Sequence, residues 1–276
     1  MKKYCCGLVI LALIFALWGC TGELEPITPE TAPSIVIAPE PVPIETTLPE
    51  PSVPETTRPE PSVPETTRPE HSALYIPGVD VEDVLLWFNE VALDSEFSYE
   101  GNPNLIQKWA SPIIYCLEGN ATEEDLQVLE SFSAWLNTLE GFPGIRQAQP
   151  EEVPNLLIRF GDGDMITDFL GAEYVNVDGG VRYWYDNNVI YDAKIAYRED
   201  IPQFTRNSVI LEEIYNGLGL VQDTALREDS LIWQGFSEPQ NLTEVDELLL
   251  KLLYHPEMLC GMNAEECEAV IRSLYY

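Results

Sequence analysis

The sequence predicts a mixed α/β (α+β) domain, in which a sheet packs on helices and a helical C-terminal part closes the fold. Two observations lead to this prediction. Segments with apolar residues at helical intervals follow residues that cap helices, and short β-branched or aromatic runs lie between them. The order is helix, strand, helix, several strands and then helices over about 200 residues, which suits a single domain.

Five helices are predicted from capping signals and apolar periodicity. Asp80 precedes the first, and Thr122 with Asp125 resembles a capping box that opens the second. Gly219 ends the third, because glycine readily takes the conformation that terminates a helix. The predicted helices run from about Asp80 to Val91, Thr122 to Leu139, Thr205 to Leu218, Thr243 to Tyr254 and Ala264 to Leu274.

Four short runs predict strands. Ile113 to Leu117 is rich in β-branched and aromatic residues, and Leu156 to Phe160 reads as a short buried strand. Tyr183 to Tyr185 and Val189 to Tyr197 flank the turn-forming sequence Asp-Asn-Asn, which predicts a β-hairpin.

The first residues have the order of a secretory signal. Lys2 and Lys3 precede an apolar run over residues 7–18, which is shorter than the roughly 20 residues of a membrane-spanning helix. The sequence before Cys20 resembles a bacterial lipobox. This resemblance implies that residues 1–19 are a lipoprotein signal peptide and that lipid on Cys20 anchors the chain to the extracytoplasmic face of the cell membrane. An uncleaved anchor and plain secretion remain alternatives.

Residues 20–73 predict a disordered stalk rich in Pro, Glu and Thr. Three decapeptides follow one another over residues 41–70, and the last two both read PSVPETTRPE. Closely spaced prolines block helix and sheet, so an extended polyproline II spacer is expected. Docking of these prolines in an aromatic groove of a partner is the alternative. Residues 74–276 then form the globular domain.

Acidic residues outnumber basic ones by 47 to 14, which gives a formal net charge of −33. Phosphate binding requires clustered Lys and Arg, so this balance disfavours nucleic acid as a partner. It also repels the domain from anionic lipid headgroups. With two histidines in the whole chain, a zinc site of three histidines is excluded.

Three cysteines remain once the signal peptide is removed and Cys20 carries lipid: Cys116, Cys260 and Cys267. An odd number leaves at least one thiol unpaired, and the three possible pairings stay open. Cys116, on a predicted strand, is expected to be a small buried hydrophobic residue.

The segment 211–223 reads LEEIYNGLGLVQD and holds the candidate site. Metzincin peptidases carry His-Glu-x-x-His-x-x-Gly-x-x-His, in which the histidines bind zinc and the Glu activates water. On this pattern Glu213 takes the position of the catalytic Glu and Gly219 that of the Gly. The three histidine positions hold Glu212, Asn216 and Gln222.

The domain therefore resembles a zincin, a degenerate metzincin without its zinc-binding histidines. Asn155 to Phe160 resembles the strand that borders a zincin cleft, and Asp192 to Tyr197 the strand before the active-site helix. Ser230 to Ile232 takes the Met-turn position without its Met. From about Val79 to Ser273 the chain is similar to a bacterial domain family of unknown function with the same Glu-Glu-x-x-x-x-x-Gly-Leu helix. The resemblance implies a zincin-like fold and not an activity.

The residue types decide what chemistry this site could retain. Zinc sites use imidazole or thiolate, whereas Glu212, Asn216 and Gln222 offer oxygen ligands, so zinc peptidase chemistry is disfavoured. We therefore expect no metal or other cofactor. Calcium would fit these oxygen atoms better if they and Asp223 gathered around an ion.

Two further groups of polar residues have structural interpretations. Asp162, Asp164 and Asp168 lack the EF-hand spacing, so a polar turn followed by a helix start is favoured over a calcium site. His255 lies where a helix ends, which favours a capping role over catalysis.

The sequence favours a cell-surface lipoprotein whose zincin-like domain is a non-catalytic binding or accessory module of the cell envelope. An edge strand of the zincin cleft can add an extended peptide, so an extracellular peptide or a cell-wall protein is the expected partner, besides the membrane itself. One alternative is an extracellular, peptidase-like hydrolase that retains Glu213 as general base. Another is a structural envelope component that its acidity keeps soluble.

Overall fold

The computed structural model describes residues 6–7, 72–93 and 104–276. The lipid attachment predicted at Cys20 and the stalk repeats lie outside these residues, as does most of the predicted signal peptide. Residues 72–93 and 104–276 belong to one compact unit. Within the described residues, no helix is long and apolar enough to cross a membrane.

Six helices are present in the described residues. Asp80, Thr122, Asp162, Thr243 and Asn263 each cap a helix with a side-chain oxygen that accepts a backbone N–H of the first turn. The helices are α1 (Val81–Ala92), α2 (Glu123–Leu136), α3 (Gly163–Leu170), α4 (Gln203–Gly217), α5 (Glu244–Tyr254) and α6 (Ala264–Tyr275).

Seven strands form a single mixed sheet. They are β1 (Cys6–Gly7), β2 (Lys108–Trp109), β3 (Ile113–Glu118), β4 (Ile145–Gln147), β5 (Leu156–Gly161), β6 (Gly179–Asp186) and β7 (Val189–Arg198). The strand order is β1-β6-β7-β5-β3-β4, and β2 pairs with the start of β7. β7, β5, β3 and β4 run parallel, whereas β6 runs antiparallel to β7. The predicted α/β fold class is confirmed.

The hairpin of β6 and β7 turns at Asn187 and Asn188, whose φ angles are 50° and 64°. A two-residue turn with both φ positive matches the twist of the strands it joins, and asparagine tolerates this conformation. The predicted hairpin is confirmed, with β6 beginning four residues earlier than expected.

Two adjacent glycines show how helices cover both faces of this hairpin. A Cβ on Gly179 would lie 2.4 Å from Val209 Cγ1 of α4, whereas one on Gly180 would lie 2.6 Å from the ring of Tyr174, just after α3. Neighbouring residues of a strand face opposite sides of the sheet. α4 and the segment that follows α3 therefore pack on opposite faces of β6, and glycine allows both to approach closely.

The ends of the domain are joined through α1 and α6. Tyr275 Oη donates at 3.0 Å to the carbonyl of Val79, and Arg272 forms a bidentate ion pair with Glu82. Glu82 belongs to the first turn of α1, so the last helix is fixed to the first.

The sequence-based expectations differ from the structure at three places. β5 lies between β3 and β7, so the expectation that this strand borders a cleft is wrong. α2 ends at Leu136 rather than Leu139, because the chain continues in tight turns towards Gly141, whose φ is 75°. Cys116 is only half-buried, and Cys267 is the fully buried thiol. Cys116, Cys260 and Cys267 are all free thiols.

Candidate functional site

The candidate site lies on α4, which follows β7 directly and packs against β6 and β7. Close packing is possible because a Cβ at Gly217 would already lie 3.3 Å from Val181 of β6. Nearly all of α4 is buried, and it carries Glu213 with 1% of its surface exposed and Asn216 with none. Polar residues at such depth are expensive unless they are hydrogen-bonded.

Three segments form a narrow cleft over this helix. They are the residues leading into β6, the outer face of α4 and the loop 223–237. The cleft is lined by Val177, Asp178, Gly179, Thr205, Val209, Glu212, Glu213, Asp223, Leu231, Trp233, Gln234, Gly235, Phe236 and Ser237. The volume open to the centre of a water molecule is about 40 Å³, which is room for one to a few waters.

Glu213 is the buried acid of this cleft. Neither of its carboxyl oxygens has a hydrogen-bond partner among the described residues, and its Cγ lies 3.0 Å from where a Cβ of Gly179 would be. Burial raises the pKa of Glu213 well above its usual range, and the nearby Glu212 and Asp223 raise it further. The environment of this carboxyl therefore favours its protonated form.

Glu212 lies at the half-buried side of the same cleft. Burial raises the pKa of Glu212, and repulsion from Asp223 and Asp178 adds to this effect. Asp178 itself is paired with Arg198 at 3.2 Å. The cleft thus gathers four acidic side chains from three segments of the chain.

The three residues that align with the histidines of the metzincin pattern do not all line the cleft. Glu212 lines the cleft, but Asn216 is fully buried beneath it, with both amide atoms unpartnered in the part of the chain that the structure describes. Gln222 directs its amide towards the carbonyl of Asp223, 3.4 Å away. No group of three or more His, Cys, Asp and Glu side chains within the described ranges could hold a metal ion.

Asp246 of α5 fixes the loop that forms the outer wall. Its carboxylate completes the capping box of α5 and also accepts from Arg227 Nη1 at 2.9 Å, Ser230 Oγ at 2.7 Å and the Leu231 N–H at 3.1 Å. Asp246, Ser230 and Leu231 are all buried. The carboxylate of Asp246 therefore holds residues 230–231 in place.

The other groups singled out in the sequence have structural roles. Asp162 accepts from the Met165 N–H and starts α3, as the interpretation of a turn followed by a helix predicts. His255 is the C-cap residue of α5, and its Nδ1 accepts from the Glu257 N–H.

Sequence reasoning found Glu212, Glu213 and Asp223 through the metzincin pattern but missed Asp178, Trp233 and Phe236. Asp178 directly precedes the glycine pair that opens β6, and Gly179 lies against Glu213. A Gly-Gly pair at a strand start is a sign of close backbone approach and is the one local signal that could have indicated Asp178.

The fold and the site define a mixed α/β domain with an acid-lined cleft between an antiparallel hairpin and the helix that follows it. Residues 82–273 match the family described as protein of unknown function (DUF2927), and the chain belongs to this family. A search of the curated proteins finds no relative that matches the chain.

Proposed function

We propose that this protein is a lipid-anchored module of the extracytoplasmic face whose zincin-like domain binds extended peptide segments without hydrolysing them. The ligand would be an extracellular peptide or a segment of a cell-wall protein. The observation that carries the proposal is the Glu213 carboxyl, which is buried in the cleft, has no hydrogen-bond partner among the described residues and has its pKa raised by burial.

The environment of Glu213 does not favour the hydrolase alternative. A general base must be ionised to accept a proton from water. Burial and two neighbouring acids hold the pKa of Glu213 well above that of an ordinary carboxyl. In a zincin, the bound metal ion would counter the rise in the pKa of this carboxyl. Here the positions of the three zinc-binding histidines hold Glu212, Asn216 and Gln222, which supply no imidazole.

The position of the site supports a zincin-like origin. α4 follows β7 directly, as the active-site helix of the resembled class follows its strand, and Glu213 faces the cleft. β6 is the antiparallel strand beside the cleft and takes the place that the sequence assigned to β5.

β6 also supplies an edge that suits an extended peptide. β7 pairs with one side of β6, and on the other side Cys6–Gly7 pairs antiparallel with Tyr183 and Trp184. Loss of the predicted signal peptide would free this position for another extended segment. Nearer the cleft, the Val181 carbonyl accepts from Tyr174 Oη at 2.7 Å, so Tyr183 and Trp184 are the expected point of strand addition.

The test is selection of peptides from a phage-displayed library of random decapeptides on the full-length protein in detergent. We expect enriched peptides to bind, to lose binding when their backbone nitrogens are methylated, and to remain intact by mass spectrometry after long incubation. Methylation removes the N–H groups that pair with a strand edge. Failure to enrich any peptide would overturn the proposal. Cleavage that stops in Glu213→Gln would establish the hydrolase instead.

A further inference from the structure

We infer that the cleft is specific for a peptide carrying a lysine or arginine side chain, which enters beside Glu212 and Glu213. This inference rests on the proposed peptide-binding function and names the chemistry that the ligand must have. It is argued from the charge of the cleft, the unpartnered carboxyl and the aromatic wall.

The lining of the cleft is acidic. Among the described residues it contains Asp178, Glu212, Glu213 and Asp223 but no Lys, Arg or His. Asp178 is paired with Arg198 at 3.2 Å. No cation is among the groups that act on Glu212 or Glu213, whose environment consists of burial and other acids. A ligand that brings a positive charge would relieve this repulsion.

A cationic donor would satisfy the Glu213 carboxyl by converting it to the ionised form, which accepts hydrogen bonds at both oxygens. Glu213 is 99% buried, it lines the cleft, and neither oxygen has a partner among the described residues. A buried acceptor without a donor is costly, and a charged donor forms the strongest hydrogen bonds to a carboxylate. Ammonium and guanidinium groups carry three and five N–H donors and no acceptor, which suits a site built from acceptors.

The outer wall complements the rest of a long cationic side chain. Phe236 is 62% exposed although it is a large apolar residue, and Trp233 lies beside it in the same loop. Gly235 allows the Trp233 ring to fold over the loop, because a Cβ there would lie 2.5 Å from the ring. Aromatic faces attract cations, and the aliphatic stems of Lys and Arg pack on apolar walls such as Val209 and Leu231.

The same features disfavour a metal ion as the occupant. No cluster in the described ranges has three or more His, Cys, Asp and Glu side chains placed to hold one. A calcium ion takes six to eight oxygen ligands, whereas the cleft joins a few carboxyls to an apolar, aromatic wall. An apolar, aromatic wall packs against an organic cation but supplies no oxygen ligand to a metal ion.

The experiment begins with the peptides enriched on the full-length protein in detergent. Each lysine or arginine is replaced by norleucine or citrulline, which keep the length of the side chain and remove its charge. We expect one position at which replacement weakens binding at least about tenfold, the loss expected for a hydrogen bond to a charged group.

Glu212→Gln should cause a similar loss for the cationic peptide and little change for the neutral one. Glu130→Gln, an exposed acid of α2, is the charge-matched control and should change neither.

A second readout does not depend on how well a variant folds. Binding of a cation lowers the pKa of the raised carboxyls, so the complex should release protons. Calorimetry in two buffers of different ionisation enthalpy should show this release, and affinity should rise from about pH 5 to about pH 8.

Each outcome is decisive. Enriched peptides that lack a sensitive cationic position, or that bind without proton release, would overturn the inference and leave peptide binding intact. Absence of any bound peptide would overturn both the specificity for a cationic side chain and the proposed peptide-binding function. Saturable calcium binding that excludes the peptide would assign the cleft to a metal and overturn the cationic side chain.

Discussion

Glu213 shows at the scale of one residue how the cleft departs from ordinary protein interiors. Almost all buried polar groups are hydrogen-bonded, yet both oxygens of this carboxyl lack a partner among the described residues. Burial raises the pKa of this carboxyl and so favours its protonated form, since a buried charge is far more costly than a buried neutral acid. Stability must then depend on pH in a definite direction.

We predict that Glu213→Gln is more stable than the parent protein at neutral pH and that this difference disappears well below pH 4.5. The pKa of Glu213 is raised above the ordinary value of 4.5. Below that pH both the folded and unfolded states are protonated. As pH rises, the unfolded state ionises first, so stability is lost up to the folded pKa by at most about 1.4 kcal/mol per pH unit. Urea unfolding at several pH values measures the difference.

Glu130→Gln is the control for the general effect of removing one negative charge from an acidic protein. A Glu213→Gln variant that follows Glu130→Gln at every pH would show that Glu213 is ionised in the folded state. That result would also remove the argument against general-base catalysis.

We predict that Gly219→Ala destabilises the domain by at least about 2 kcal/mol. Gly219 has φ of 114°, and its Cβ would lie 2.1 Å from the carbonyl oxygen of Gln107. Gly163→Ala is the matched control, because no atom lies within 4 Å of its Cβ and it occupies the first turn of α3. Thermal unfolding of the two variants measures the loss of stability, and equal unfolding temperatures for Gly219→Ala and Gly163→Ala would contradict the prediction.

At the scale of helices and loops, two buried carboxylates join separate elements of the fold. Asp125 of the α2 capping box pairs with Arg206 of α4 at 2.8 Å, with both side chains buried. Burial alone would raise the pKa of Asp125, but hydrogen bonds from Arg206, Thr122 and Gln203 outweigh it and hold the pKa below its usual range. Asp246 has the corresponding position in α5 and fixes the outer wall of the cleft.

We predict that Asp246→Ala destabilises the domain by about 3 kcal/mol and loosens the loop 223–237. The substitution leaves the buried Arg227 without its main partner and frees Ser230 and the Leu231 N–H, and breaking a buried ion pair is strongly destabilising. Hydrogen exchange should rise first in residues 224–234, while β5 stays protected. Uniform exchange throughout the domain would contradict a local role for Asp246.

Elements with local signals were predictable from the sequence, and those made by distant pairing were not. The capping boxes at Thr122 and Thr243, the Asn-Asn turn and the glycine after α4 each lie within a few residues. β2 and β4 have two and three residues and exist because they pair with β7 and β3. The metzincin motif identified Glu212 and Glu213 from neighbouring residues in the sequence. Asp178 lies near them only because the β6–β7 hairpin packs against α4.

The whole molecule combines the domain with a proposed lipid anchor and stalk. We predict that Cys20→Ser shifts the protein from the detergent phase to the aqueous phase in a detergent-partition experiment, because the proposed lipid chain is the group that partitions into detergent. Cys260→Ser, which alters a half-buried thiol of the domain, should stay in the detergent phase. Parent protein found in the aqueous phase would argue for plain secretion.

The bond from Tyr275 to the Val79 carbonyl has a mechanical consequence. A pull on the proposed stalk enters the domain at residues 72–80, where Tyr275 and the Arg272–Glu82 ion pair couple the first elements to the last helix. The load is then shared between α1 and α6, which pack against each other. Because Glu90 of α1 accepts hydrogen bonds from Thr224 Oγ1 and the Ala225 N–H, a pull on the stalk also reaches the outer wall of the cleft.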